Sequence, residues 1–199
     1  MKETISVAMP PCFHRWCDRF NNVFKTKAQK IGFRDYIGGL LGESERKNLS
    51  QIANNTLGLS YHKLRHFLVR ANWSPDAVNE RRLQLMWECR QTKPSRSFAL
   101  IIDDSGHRKS APPAPRFPRR KDGARSGSLT AGVGRQYIGE IGKTDNGVVV
   151  VTTHLDDGVK SLPLDIALYQ KADSLPLGKK DPEFVKKPDL AMSLVDQCL

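Results

Sequence analysis

The chain has 199 residues, 39% of them hydrophobic, with 32 Lys and Arg against 21 Asp and Glu, a net charge of +11. That length holds one modest core, or a small helical domain and part of a second. No apolar run approaches the roughly 20 residues that cross a bilayer and the first residues lack the apolar centre of a signal peptide, which excludes membrane insertion and secretion and reads as a soluble protein of a reducing, cytoplasmic compartment.

Charge is uneven. Residues 1–97 carry 17 Lys and Arg against 8 acids, residues 98–136 carry 8 against 3, and residues 137–199 carry 7 against 10. A basic front with a mildly acidic tail predicts a polyanionic partner met mainly through the N-terminal region. The alternative is that the excess cations simply solubilise. Cys12, His14 and Cys17 form a Cys-x-His-x-x-Cys group. Its spacing matches no common zinc knuckle and no second ligand pair follows, so these read as structural or incidental thiols.

In chain order, residues 12–42 read as helical, with Trp16, Phe20, Val23 and Phe24 and then Phe33, Tyr36, Ile37, Leu40 and Leu41 at helical spacing. Gly38-Gly39 and Gly42 loosen the chain. Ser44 then caps a helix carrying Leu49, Ile52 and Ala53. Leu57-Gly58-Leu59-Ser60 is a break with its own cap, Ser60, and starts a helix through Leu64, Phe67 and Leu68 that bears Lys63, Arg65 and Arg70. Helix, short glycine-containing turn and basic helix is the outline of a helix-turn-helix over residues 43–72. Any small helical bundle offers the same outline. His62 and His66, four apart, have a spacing that suits a metal, but no third ligand lies near and they read as surface or core histidines. Ser74 caps the next helix, with Pro75 at its first position, and that helix runs to about Cys89.

After the polar connector 91–97 the pattern changes to strands. Residues 98–102 are wholly apolar and read as a strand buried on both faces. The run ends in Asp103-Asp104-Ser105-Gly106 followed by His107-Arg108-Lys109. Carboxylates at the mouth of a buried strand need a positive partner, and a divalent metal serves where the neighbours hold phosphate. A solvated turn is the other reading of the same residues. Residues 134–142 and 147–154 form a hairpin across the turn 143–147, residues 164–169 a further strand, and Pro188 and Asp189 open a helix. Between them, about 108–129, lies a Pro-, Arg- and Gly-rich segment with too few apolar residues to pack, expected as a disordered basic loop.

Taken in this order, Tyr36-Ile37-Gly38-Gly39-Leu40-Leu41, Glu45-Arg46-Lys47-Asn48, Phe67-Leu68, Ile102-Asp103-Asp104-Ser105-Gly106 with Lys109, Gly132-Val133-Gly134-Arg135-Gln136-Tyr137 and Gly142-Lys143-Thr144-Asp145-Asn146 resemble the N-terminal part of bacterial insertion-sequence transposases of the DDE superfamily. The resemblance spans most of residues 15–199. It implies an α+β chain: a helical DNA-binding region, 1–96, then an incomplete RNase H-like mixed sheet, 97–199. It implies DNA as partner, at the terminal inverted repeats of a mobile element near the nucleoid, and Mg2+ or Mn2+ as the family's cofactor.

By the same resemblance the first strand delivers the first catalytic, metal-holding acid, Asp103 or Asp104, with Asp103 favoured by the acid-x-hydroxyl spacing. Lys47, Lys63, Arg65, Arg70, Arg108, Lys109 and Arg135 are the expected DNA contacts. Arg108 and Lys109 either counter the acids or face phosphate, and Arg135 and Gln136 either touch DNA or hold the hairpin. Asp156, Asp157, Asp165 and Asp173 do not match the family's second Asp or its Glu and read as loop and turn acids. The expectation is therefore a truncated transposase, inactive alone and weak in metal binding. The alternative is a non-catalytic DNA-binding module or repressor, as a homo-oligomer or in mixed assembly with a full-length transposase.

Overall fold

The computed structural model describes residues 9–56, 58–94, 97–109 and 132–198. The expected loop at 108–129 lies outside the described residues from 110 on. The chain divides into two compact units, Met1–Leu85 and Met86–Leu199.

The first unit is helical. Residues 12–42 do not form one continuous run. They split into α1 (Pro11–Asp18) and α2 (Lys27–Leu41), because Thr26 and Gln29 close a capping box: Thr26 Oγ1 accepts the Gln29 N–H and Gln29 Oε1 accepts the Thr26 N–H. A Thr-x-x-Gln pair satisfies two helix-end donors and so starts a helix there. Phe13, Cys17, Phe20, Phe24, Phe33, Phe67 and Leu85 make the core. Burial pushes the Cys17 thiol up from its ordinary range.

Gly38 and Gly39 lie inside α2 rather than breaking it. α2 packs on α3 (Leu49–Asn55) and α4 (Tyr61–Val69) at two glycines seven residues apart. A Cβ on Gly39 would stand 2.1 Å from Ile52 Cγ2 of α3, and one on Gly32 would stand 2.7 Å from the Phe67 ring of α4. Asn48, not Ser44, caps α3 by accepting the Gln51 N–H at 2.9 Å. Ser44 is buried, and its Oγ accepts a hydrogen bond from Asn55 Nδ2. Ser60 caps α4 and Ser74 caps α5 (Pro75–Glu88).

α2 and α4 also line a cavity of about 670 Å3 with Gln29, Ile31, Asp35, His62, His66 and Phe67 on its walls. Burial raises the Asp35 carboxyl above its usual range, against the pull of Lys63 and Arg34. A carboxyl raised on folding is protonated first in the folded chain, so its ionised form weakens the fold at neutral pH and the penalty fades as pH falls through the folded value. Asp35→Asn is therefore expected to raise the melting temperature of the helical unit at pH 7, with the gain vanishing in melts run well below pH 4.

The second unit is an antiparallel sheet under one helix. Its central strand is β3 (Lys143–Asp156). β1 (Ala99–Arg108) pairs along one side of β3, and β2 (Gly134–Ile138) and β4 (Ser161–Tyr169) pair with its two ends on the other. All three pairings are antiparallel, so the sheet is not mixed among the described residues. The hairpin turn falls at residues 139–142, ending on Gly142 at φ +62, a left-handed position that favours glycine. Residues 143–147, expected as that turn, are strand.

β1 is longer than the expected strand and continues through both acids. It is not buried on both faces, since Ile101 and Ile102 are 43% and 40% exposed. The reason is position: among the described residues β1 has a strand partner on one side alone. α6 (Lys187–Cys198) packs against β3 and β4.

Candidate functional site

Successive residues of a strand project to opposite faces, and β1 sends its two acids apart in this way. Asp104 stands opposite Val151 of β3 and Asp103 opposite Thr152. Directly opposed residues share a face. Asp104 thus lies with Val149, Val151 and Thr153, the buried side of β3, while Asp103 lies with Val150 and Thr152 of β3 and Ile166 and Leu168 of β4. On that second face Ile166 is 62% exposed.

The two carboxylates have different partners. Lys187, the first residue of α6, places Nζ 2.5 Å from Asp104 Oδ2 and 5.3 Å from the centre of the Tyr169 ring. Asp104 therefore ties β1 to the start of α6. Asp103 is exposed, and its Oδ1 accepts the backbone N–H of Asp104 at 2.8 Å. Both ions of the Lys187 pair are partly solvated, at 34% and 50% exposure. Lys187→Met and Asp104→Asn should each cost the sheet unit about 1 kcal/mol, since a partly exposed pair is worth no more than that. A urea-melt double-mutant cycle checks it, with the double variant expected to be no worse than either single one.

A two-metal phosphoryl-transfer centre needs several oxygens converging on each ion. Asp103 and Asp104 diverge, so the expectation that they hold metal together is corrected by the geometry of the strand. Among the described residues no three His, Cys, Asp or Glu side chains come together in a metal-holding group. The acids present do not fit a two-metal centre by themselves. Asp156 and Asp157 close the turn after β3, where Asp157 Oδ1 accepts the Lys160 N–H at 2.8 Å. Asp165 is a strand residue of β4, not a loop acid.

The expected DNA contacts fall in two places. Lys63 and Arg65 lie on α4, Arg70 is its C-cap, and all three are exposed. Lys47 sits before α3, where its ammonium donates to the Gly42 carbonyl at the end of α2. In the sheet unit, Arg108, Lys109 and Arg135 gather near the β2–β3 hairpin. Arg108 Nε lies 2.9 Å from Asp145 Oδ2. The Asn146 backbone N–H, and then Arg108, Lys143 and Arg135, hold the Asp145 carboxyl below the usual range. The Lys109 N–H donates to the Asn146 carbonyl, continuing the β1 ladder, and Lys171 Nζ donates to the Arg135 carbonyl. Gln136 is buried and does not face solvent. Its Nε2 donates to the carbonyls of Gly147 and Gly132, which fixes the hairpin.

Sequence reasoning missed Lys187 and Tyr169 as partners of the acid pair. The one signal available was a lysine at a helix start, where the helix dipole disfavours a cation unless an acid meets it.

A family model described as DDE superfamily endonuclease matches residues 19–120 and 123–199. The chain belongs to this family. It is also 30% identical over 181 residues, 90% of its own length, to a protein of Microchaete diplosiphon described as a probable transposase for insertion sequence element IS701. The chain spans 42% of that relative's length. No solved structure matches it. The DDE endonuclease chain thus carries the sheet and acid pair described above, and among its described residues no helix is long and apolar enough to cross a membrane.

Proposed function

We propose that this chain acts in DNA transposition as a DNA-binding component that does not cut DNA alone. In this reading residues 1–96 grip duplex DNA at the terminal inverted repeats of an element. Residues 97–199 are an RNase H-like frame that presents Asp103 as the first acid of the family's metal-dependent centre. Asp103 is chosen over Asp104 because Lys187 already neutralises Asp104, while Asp103 lies on the open face of the sheet. Mg2+ or Mn2+ would neutralise charge on phosphate in a completed centre, with further acids that the described residues do not bring together.

The observation that carries the binding role is α4. It begins on a Ser60 cap, it exposes Lys63 and Arg65, and Arg70 closes it, with no Asp or Glu from residue 60 to 70. Fluorescence anisotropy of a labelled duplex tests it. Binding should weaken steeply with salt, with a log–log slope close to −0.9 for each phosphate neutralised. Absence of binding at low salt would remove the reading.

The divergence of Asp103 and Asp104 favours one further role: occupation of an element's ends against a full-length transposase, or joining its assembly. Adding this chain to a transposition reaction of an active relative should then lower its yield.

A further inference from the structure

Four side chains of α4 form one outward stripe. His62, Arg65, His66 and Val69 follow the i, i+3, i+4, i+7 spacing that places residues on one helix face. All four are exposed, Val69 at 61%. The opposite side of the same helix is the core side, where Leu64 and Phe67 are 1% and 3% exposed. An aliphatic side chain held out in water beside an arginine and two imidazoles contributes nothing to the packing of this unit.

Lys63 and Arg70 flank the stripe on the side of α2, where Lys63 also attracts Asp35. The helix is aimed by three fixtures: the Ser60 cap at its start, the Gly32–Phe67 approach to α2, and its packing on α3. α3 and α4 are joined by the short segment around Gly58, which sits at φ +74. In a helix-turn-helix the second helix enters the major groove and its exposed side chains meet base edges, while flanking cations meet phosphate.

We infer that the stripe His62–Arg65–His66–Val69 reads base sequence in the major groove of duplex DNA, and that Lys63 and Arg70 contact phosphate without reading. The inference rests on the DNA-binding reading above and adds to it sequence preference and the residues that set it. The side chains match the groove's chemistry. Arginine donates two parallel hydrogen bonds to guanine, imidazoles donate or accept at base edges, and valine suits the methyl group of thymine. The positive charge of α4, unopposed by any acid on the helix, selects a polyanion over a protein surface.

The test is selection from a pool of duplexes with a randomised central segment, using the full chain. Wild type should converge on a short consensus. Arg65→Gln should flatten the preference at one base pair, losing about tenfold discrimination or more there. His62→Ala and Val69→Ala should each relax a neighbouring position. Lys63→Gln and Arg70→Gln should leave the consensus unchanged and each reduce the salt slope by about one. All five positions are exposed, so circular dichroism should show wild-type melting for every variant. A wild-type pool that stays random while still binding in a salt-dependent way overturns the inference and spares the binding role. An unchanged consensus in Arg65→Gln also overturns it. Retention of no duplex at all removes both readings.

Discussion

Phe67→Ala is expected to unfold the helical unit at moderate temperature. The ring is buried and stacks on Trp73 with centroids 5.1 Å apart and planes 6° from parallel. It also meets Phe24 at 6.2 Å and Tyr36 at 6.5 Å. On its far side the backbone of Gly32 comes so close that a methyl group could not be added. Removing a phenyl ring from such a site costs about 3–5 kcal/mol, because the lost transfer energy is joined by a cavity that close-packed walls cannot fill. Against a total stability of about 5–15 kcal/mol this is a large share. At about 4–8 °C per kcal/mol for a unit of this size, the melting temperature should fall by at least about 12 °C. Thermal melts followed by far-ultraviolet circular dichroism check this, and a fall of a few degrees would show that the aromatic cluster does not hold the unit. DNA affinity should fall with it, since Phe67 is what seats α4.

Gly39→Ala sets two effects against each other. Alanine in a helix interior is favoured over glycine by about 1 kcal/mol. The new methyl carbon would stand 2.1 Å from Ile52 Cγ2, far inside contact distance, and Ile52 is fully buried. Overpacking of this kind costs about 1–3 kcal/mol or more. The clash is severe and its neighbour has no free space, so the upper part of that range applies and the net effect should be a loss of about 1–2 kcal/mol. Ile52→Ala in the same chain should recover part of the loss, giving a coupling that urea melts of the single and double variants would read. A stabilised Gly39→Ala single variant would contradict the close α2–α3 contact.

Much of the architecture is visible in the residue pattern, and the misses have physical causes. Caps at Ser60 and Ser74 are local hydrogen bonds, and local chemistry is what a sequence displays. The capping box of Thr26 and Gln29 was equally available, but the apolar spacing on both sides of it masks the break. Gly38-Gly39 resembles a breaker until Ile52 is placed, because close helix approach is a tertiary fact. The run 98–102 is apolar enough for a doubly buried strand, yet composition does not reveal how many strands stand beside it. At the acid pair, strand alternation foretells that Asp103 and Asp104 part. Which face each takes depends on the register with β3, and the counter-ion of Asp104 comes from Lys187, 83 residues further on.

The central claim is that this DDE endonuclease chain binds DNA and does not cut it by itself. A nicking assay on supercoiled plasmid in Mg2+ or Mn2+, at protein concentrations where binding is saturated, tests it directly. The account predicts full occupancy with the plasmid left supercoiled. Nicking that disappears in Asp103→Asn would contradict it, and would mean that the chain assembles a working centre from acids that stand apart in this structure.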